Sequence, residues 1–326
     1  MILVLWSVCF LSVVAVVVGY GVRQKISLVK RLDESSNLRL IADAGVKKAV
    51  SELKINRDEL KYSLNNPVSN NEGIFGNIRV GDGVCSVSYE YTDEISGERQ
   101  VRYGVLDEES KININTADRA TLERLFREAV GFDEMESQSL AASIIDWRDE
   151  DSELSVPLGS AEDSYYRNLP HPYEAKDAPF EILDELLPVK GMSASLLDKI
   201  KDYVTIYGDG MVNVNTASRV VLIAAGLTPL MADKVINFRY GPDGKIGTPD
   251  DGIFMSQGSI VPVLSQCYNM GASEIDSLSA VALQHLGVQS GNFIVNSAAS
   301  FKNSKKVLRA TGIVDSDFKI LYWREY

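Results

Sequence analysis

The first twenty residues, MILVLWSVCFLSVVAVVVGY, constrain this chain more than any other stretch. None of them is charged, and only Ser7 and Ser12 are clearly polar. At about 1.5 Å per residue, a helix of this length spans roughly 30 Å, the hydrocarbon thickness of a bilayer. In lipid each backbone N–H and C=O must be satisfied within the segment, so a helix is the state it demands. A cleaved secretory signal is the alternative. Such signals have a basic start, a shorter apolar core and a small-residue cleavage site. Nothing basic precedes this run and the helical pattern continues beyond it, so residues 1–22 are read as a retained transmembrane segment.

After Tyr20 the pattern turns amphipathic. Ile26, Val29, Leu32, Leu38, Ile41, Ala42, Gly45, Val46, Ala49, Val50 and Leu53 recur at steps of three and four, the spacing of one helix face. No proline occurs before Pro67. One helix over residues 2–63, with its last third laid on a soluble body, is the expectation. A hinge near Gly19 and Gly21 is the alternative. Beyond Asn65-Asn66-Pro67, residues 74–80, 84–92 and 99–106 alternate β-branched and aromatic residues. They read as an antiparallel meander turned at Gly81-Asp82-Gly83 and Ser96-Gly97.

An internal repeat follows. Ile112-Asn113-Ile114-Asn115-Thr116-Ala117 returns as Val212-Asn213-Val214-Asn215-Thr216-Ala217. Each hexamer precedes a helical stretch, and its Asn or Thr is expected to cap that helix. Ile144-Ile145-Asp146-Trp147-Arg148 likewise matches Val235-Ile236-Asn237-Phe238-Arg239, and each leads into an acidic loop. A third helical pair is expected over 178–187 and 193–207. Strand character resumes at 292–298, 306–314 and 319–323. These patterns predict an α+β fold: a long N-terminal helix packed on a small antiparallel sheet, interrupted by a large all-α insertion of helical hairpins. The expected divisions are residues 23–110, 111–288 and 289–326.

The chain has 326 residues and a formal net charge of −12. That balance disfavours nucleic acid, which needs a basic face, and favours cations. With two histidines, three cysteines and no CxxC, zinc is disfavoured. Cys85 and Cys267 are left as a pair the sequence cannot decide. The first acidic loop offers Asp149 and Asp151, with Glu162 and Asp163 closing its far side. The second, DGKIGTPDDG, offers Asp243, Asp250 and Asp251 among glycines that allow tight turns. Hard oxygen ligands on flexible loops suit a structural calcium ion better than magnesium. Solvated acidic loops are the alternative. No catalytic constellation stands out: His171 lies between prolines in a turn, and His285 ends a helix. The chain is therefore not expected to be an enzyme, and it has no other cofactor in view.

The repeated hairpins resemble helix-hairpin-helix or SAM-like modules. A phosphate-binding hairpin needs a Gly-x-Gly turn with nearby Lys or Arg. The turns here carry single glycines, Gly131, Gly191 and Gly226, and acidic neighbours such as Asp133, Glu134 and Glu136. A membrane-anchored DNA-binding protein of the competence type is the second reading, and a calcium-dependent surface enzyme the third.

Taken together the motifs resemble the K-type minor pseudopilins of bacterial type II secretion systems. The residues that carry this are Ile114-Asn115-Thr116-Ala117, Asp146-Trp147-x-Asp149-x-Asp151, and Ala161-Glu162-Asp163 with Tyr166. Pro179-Phe180, Glu185-Leu186-Leu187, Lys190-Gly191-Met192, Gly208-Asp209-Gly210 before the second hexamer, and Trp323-Arg324-Glu325 complete it. The resemblance implies a pilin-like domain with an inserted α-domain that binds calcium. It also implies an inner-membrane anchor, a periplasmic body, and a place at the tip of a pseudopilus with the I- and J-type minor pseudopilins. It further implies a basic leader ahead of Met1. Arg23, Lys25, Lys30 and Arg31 follow the apolar run and nothing basic precedes it, so a leader would restore the positive-inside orientation. Leu5 stands where most pilin-like subunits carry glutamate, as in K-type subunits, and no acidic residue precedes Asp33.

Overall fold

The computed structural model describes residues 1–56, 63–157, 159–302, 304 and 306–326. Helix α1, Ile2–Ile55, is unbroken over 54 residues, about 80 Å. Gly19 and Gly21 both lie inside it, so no hinge interrupts it there. It ends at Ile55, where Asn56 caps it. The expected extension through 57–62 lies outside the described residues. Leu38, Ile41, Ala42, Gly45, Val46, Ala49 and Leu53 are buried on one stripe, which is the face that the spacing selects. No residue before Leu38 is buried.

That stripe packs on a sheet built from both ends of the chain. Its strands are β1 (Ile78–Val80), β2 (Gly83–Val87), β5 (Leu106–Asp107), β10 (Phe293–Phe301), β11 (Val307–Val314) and β12 (Ile320–Glu325). The order is β1-β2-β10-β11-β12, all antiparallel, with β5 also pairing β10. Burial alternates strictly along most of β10, as a strand covered on one face must. Gly45 lets helix and sheet approach, because a methyl there would collide with Ser297 Oγ.

The expected meander is not what forms. Residues 72–75 are a short helix, α2 (Glu72–Phe75), capped by Asn71, whose side chain accepts from Ile74 N–H. Strand β2 pairs with β10 rather than with β3. The pair β3 (Tyr89–Thr92) and β4 (Arg99–Arg102) is a separate hairpin. Local alternation marks strands but cannot choose their partners, and here the C-terminal strands win the central place. The turn at Gly81-Asp82 does close β1 on β2.

Helices fill the chain between β5 and β10, and its two ends meet: Phe293 pairs with Asp107 and Ile294 with Leu106. The first hairpin is α3 (Arg119–Val130) and α4 (Glu134–Arg148), turned at Gly131, φ 81°. The second is α7 (Arg219–Ala224) and α8 (Pro229–Tyr240), turned at Gly226, φ 113°. Helix α3 packs on α7, and Leu122, Leu125, Phe126, Val221 and Leu222 are among the side chains they bury. Helices α5 (Asp163–Tyr166), α6 (Ala194–Ile200), α9 (Ile260–Tyr268) and α10 (Ala272–His285) complete the region. The expected third helical pair shrinks. Only a 3₁₀ turn, Leu183–Leu186, forms within 178–187. Helix α6 stops at Ile200 so that β7 (Val204–Thr205) can pair with β6 (Ile112–Asn113).

The repeated hexamers do not cap the helices after them. That work falls to the next residue: Asp118 accepts from Thr121 N–H and Ser218 from Val221 N–H. The asparagines instead clamp neighbouring chain. Asn115 exchanges two hydrogen bonds with the backbone of Phe180, at 2.8 and 2.9 Å. Asn215 does the same with Phe254, at 2.8 and 3.1 Å. Arg148 donates to the carbonyls of Ile114 and Ala117, and Arg239 to that of Ala217. Strands β6 and β8 (Val212–Asn213) pair in parallel with β7 and β9 (Leu286–Gly287). The repeat in sequence is thus a repeat in hydrogen bonding.

Candidate metal centres

Helix α4 delivers the first site. Its last turn buries Asp146 and Trp147 and ends at the cap Asp149, from which the chain runs into the acidic loop. One oxygen each of Asp149, Asp151 and Glu162 lie within 4.8 Å of one another. Asp146 is fully buried; its Oδ1 accepts from Ser155 N–H at 3.0 Å. Among the described residues, Asp146 Oδ2, Asp149 Oδ1 and Glu162 Oε1 are buried with no hydrogen-bond partner. Buried carboxylate oxygens without donors are costly. Two of these three residues, Asp149 and Glu162, belong with Asp151 to the group that could hold a cation.

The electrostatics agree. Burial first, then Asp151 and Asp146, push the Asp149 carboxyl up to about 6. Burial, then Asp146 and Asp149, push Glu162 up to about 7. Asp163 stands apart. Its Oδ2 meets Arg167 at 2.7 Å and its Oδ1 accepts from Ala175 N–H. Its side chain secures the loop rather than joining the cluster. The walls are rigid: Tyr166 packs edge-on against Trp147 at 5.0 Å and stacks on Tyr173 at 5.2 Å. Lys190 donates to the carbonyls of Gly159 and Ser160 and lies over the Tyr165 ring.

This loop falls within the segment that can be placed among known families. Residues 104–209 match the family model for the type II secretion system protein K. The chain is similar to protein K of that system. It is 34% identical over 152 residues to the Aeromonas hydrophila type II secretion system protein K. That alignment takes in 46% of the chain and 41% of the relative, so the chain matches less than half of the relative's length. The fold extends further. A chain of the GspK-GspI-GspJ complex from enterotoxigenic Escherichia coli superposes with a TM-score of 0.66. The superposition covers 91% of this chain and 99% of that one, at 18% identity. The resemblance read from the motifs therefore holds in both sequence and fold.

The second loop lies beyond residues 104–209 and is built differently. Asp243, Asp250 and Asp251 also bring oxygens within 4.8 Å of one another, but Asp243 and Asp250 are exposed and Asp251 half-buried. Their oxygens already have donors. Asp243 accepts from Lys245 N–H, Asp250 from Asp243 N–H and Thr248 Oγ1, and Asp251 from Gly247 N–H. The hydroxyl of Thr248 first holds the Asp250 carboxyl below its usual range. The loop closes on itself through Gly241, Gly244 and Gly247, all at positive φ.

Sequence reasoning did not count Asp146 among the ligand candidates. The signal was present in the repeat, where Asn237 occupies the matching place. A carboxylate at this place in one copy and an amide in the other is a difference between the two helix ends that lead into loops of similar charge. Cys85 is buried and Cys267 exposed, and both are free thiols.

The helix-hairpin-helix comparison also resolves physically. Phosphate binding needs free N–H groups at the second helix of a hairpin. In α4, Asp133 Oδ1 accepts from Glu136 N–H while Glu136 Oε2 accepts from Asp133 N–H. In α8, Thr228 accepts from Met231 N–H and Pro229 removes one donor altogether. Both helix starts spend N–H donors on their own caps.

Proposed function

We propose that this chain is a membrane-anchored minor pseudopilin that occupies the tip of a type II secretion pseudopilus and supports export across the outer membrane. The observation that carries this reading is the division of α1. None of its residues 2–37 is buried, while its remainder is welded to a body with the fold seen in the GspK-GspI-GspJ complex. A helix uncovered over that length needs lipid first and neighbouring subunit helices afterwards. Residues 1–22 anchor the chain in the bacterial inner membrane, the body faces the periplasm, and the partners are I- and J-type minor pseudopilins. The role is mechanical rather than catalytic.

The first loop holds a structural calcium ion in this reading. Asp149, Asp151 and Glu162 supply ligands, and Asp146 supplies a further buried oxygen or orients them. All the donors are hard oxygens, and the loop has little apolar surface with which to hold itself. A bound ion supplies the charge that the three unpaired oxygens lack. The second loop is a weaker candidate, because its carboxylates already spend oxygens on backbone donors.

Copurification tests the assembly. Tagged full-length chain, extracted in mild detergent from cells co-expressing I- and J-type pseudopilins, should recover both. Recovery of neither would sink the tip assignment. Retention of duplex DNA on a filter at low salt would instead favour the DNA-binding reading.

A further inference from the structure

Of the four basic residues just past the apolar run, Lys30 makes one long ion pair within the chain's own fold and the other three make none among the described residues. Arg23, Lys25, Lys30 and Arg31 are all exposed. Lys30 reaches Glu34 only at 3.9 Å, and among the described residues no ion pair joins the other three to any carboxylate. This occurs in a chain with 45 acidic and 33 basic residues. The reason is geometric. The first buried residue of α1 is Leu38, so an unbroken helical stem holds the cluster away from the acidic body. Between Met1 and Leu32 the chain carries four positive charges and no negative one.

We infer that Arg23, Lys25, Lys30 and Arg31 form a docking collar for the phosphates of anionic lipid headgroups. The inference rests on the membrane-anchor reading of residues 1–22. With that span in hydrocarbon, Arg23 and Lys25 emerge at headgroup depth. Lys30 and Arg31 lie about 8–12 Å further along the axis. Their long side chains reach back towards the interface, and the screening length is about 8 Å at physiological salt. The residues lie on several sides of the helix, so they suit a ring of mobile headgroups better than one flat protein surface. The body, which carries the excess negative charge, is repelled from the same surface. Attraction at the collar and repulsion at the body hold the stem upright, and lifting the chain into a fibre breaks the collar contacts.

The test uses the full chain in nanodiscs of mixed phosphatidylglycerol and phosphatidylcholine, with the lipid retained around the protein counted after detergent exchange. Wild type should retain phosphatidylglycerol above its bulk share, by about fivefold for each basic residue that reaches the headgroups. The combined variant Arg23→Gln, Lys25→Gln, Lys30→Gln, Arg31→Gln should fall to the bulk ratio, and 1 M salt should do the same to wild type. These side chains pack on nothing, so the variant should melt like its parent. Wild type at the bulk ratio, or a variant that keeps the enrichment, would overturn the collar. Loss of enrichment to millimolar inorganic phosphate at constant ionic strength would also overturn it, by marking a site for free anions. Discs of phosphatidylcholine alone separate the two readings. If wild type fails to enter them, the anchor itself is wrong and the collar falls with it.

Discussion

Asp146 shows how one side chain can act in opposite directions with and without an ion. Its charge helps to push Asp149 and Glu162 up, so it is a liability alone, and in the proposed calcium site it completes the cradle. Asp146→Asn keeps the acceptor for Ser155 N–H. In chelator at pH 8 the variant should melt higher than its parent, and with calcium it should lose most of the ion-dependent rise. For the parent, calcium at a hundred times its Kd adds about 2.7 kcal/mol, on the order of 5–10 °C for a region of this size. Calorimetry with and without chelator reads both. The pH dependence has a definite sign. The folded pKa values, about 6 for Asp149 and about 7 for Glu162, lie above the usual carboxylate values. The calcium-free fold therefore binds more protons than the unfolded chain. Its stability is greatest near pH 4 and falls as pH rises to about 7. Saturating calcium should suppress that fall; an equal decline in calcium and chelator would reject the site.

The asparagine clamps belong to the same scale. Asn215→Ala removes two hydrogen bonds to Phe254 and leaves buried backbone groups unpaired. It should cost about 2–3 kcal/mol, read as a lower denaturant midpoint. Asn115→Ala should behave alike at Phe180. A cost near zero at either position would mean that the clamp is ornamental.

At the scale of elements, α1 is two helices in one. Along its buried stripe the fit to the sheet is tight, and Gly45 marks the closest approach. Gly45→Ala should cost about 1–3 kcal/mol through forced separation from Ser297 and Cys85. At Gly19 and Gly21 an added methyl meets nothing within 4 Å. Alanine there should be neutral, or stabilise the helix by up to about 1 kcal/mol. Melting of the full chain in detergent, followed by circular dichroism, separates the two classes. The β3–β4 hairpin has its own task. Tyr91 and Tyr240 hydroxyls meet at 3.0 Å, Glu94 N–H donates to Tyr240 Oη at 2.9 Å, and Arg219 N–H donates to Glu94. Tyr240→Phe removes the shared partner. It should speed proteolysis at 93–98 while leaving the sheet's hydrogen exchange unchanged.

At the scale of the whole molecule, the buried side chains among the described residues form separate clusters. One fills the helical region, and two lie between α1 and the sheet. They are joined where β5 meets β10, next to a buried polar knot. There Asp107 accepts from Asn213 Nδ2 at 2.9 Å and from Thr216 Oγ1 at 2.6 Å, and Lys111 pairs with Glu108 at 2.8 Å. Chelation should therefore loosen one cluster selectively. Hydrogen exchange in EDTA should rise along 146–166 and in α3 and α4, while β10 and β11 keep their protection. A uniform rise would show that the ion, if bound, governs the whole body.

The long apolar run, the stripe from Leu38 to Leu53, the doubled hexamer and the two acidic loops were all legible in the residues. Each is a local pattern whose period or composition has one physical meaning. Hydrophobic spacing names a buried face, and a repeated Asn-x-Asn names a repeated local structure. Partnership was not legible. Alternation at 84–92 could not reveal that β2 leaves its neighbour for β10, more than two hundred residues away. The hexamer could not show that Asn115 and Asn215 clamp distant backbone while Asp118 and Ser218 do the capping. Nor could two loops of similar charge be told apart until Asp146, Asp149 and Glu162 were seen with buried, unpaired oxygens. The second loop's carboxylates had already found their own N–H donors. Sequence sets what each segment is suited to; burial and long-range pairing decide which of its polar groups are left wanting a partner.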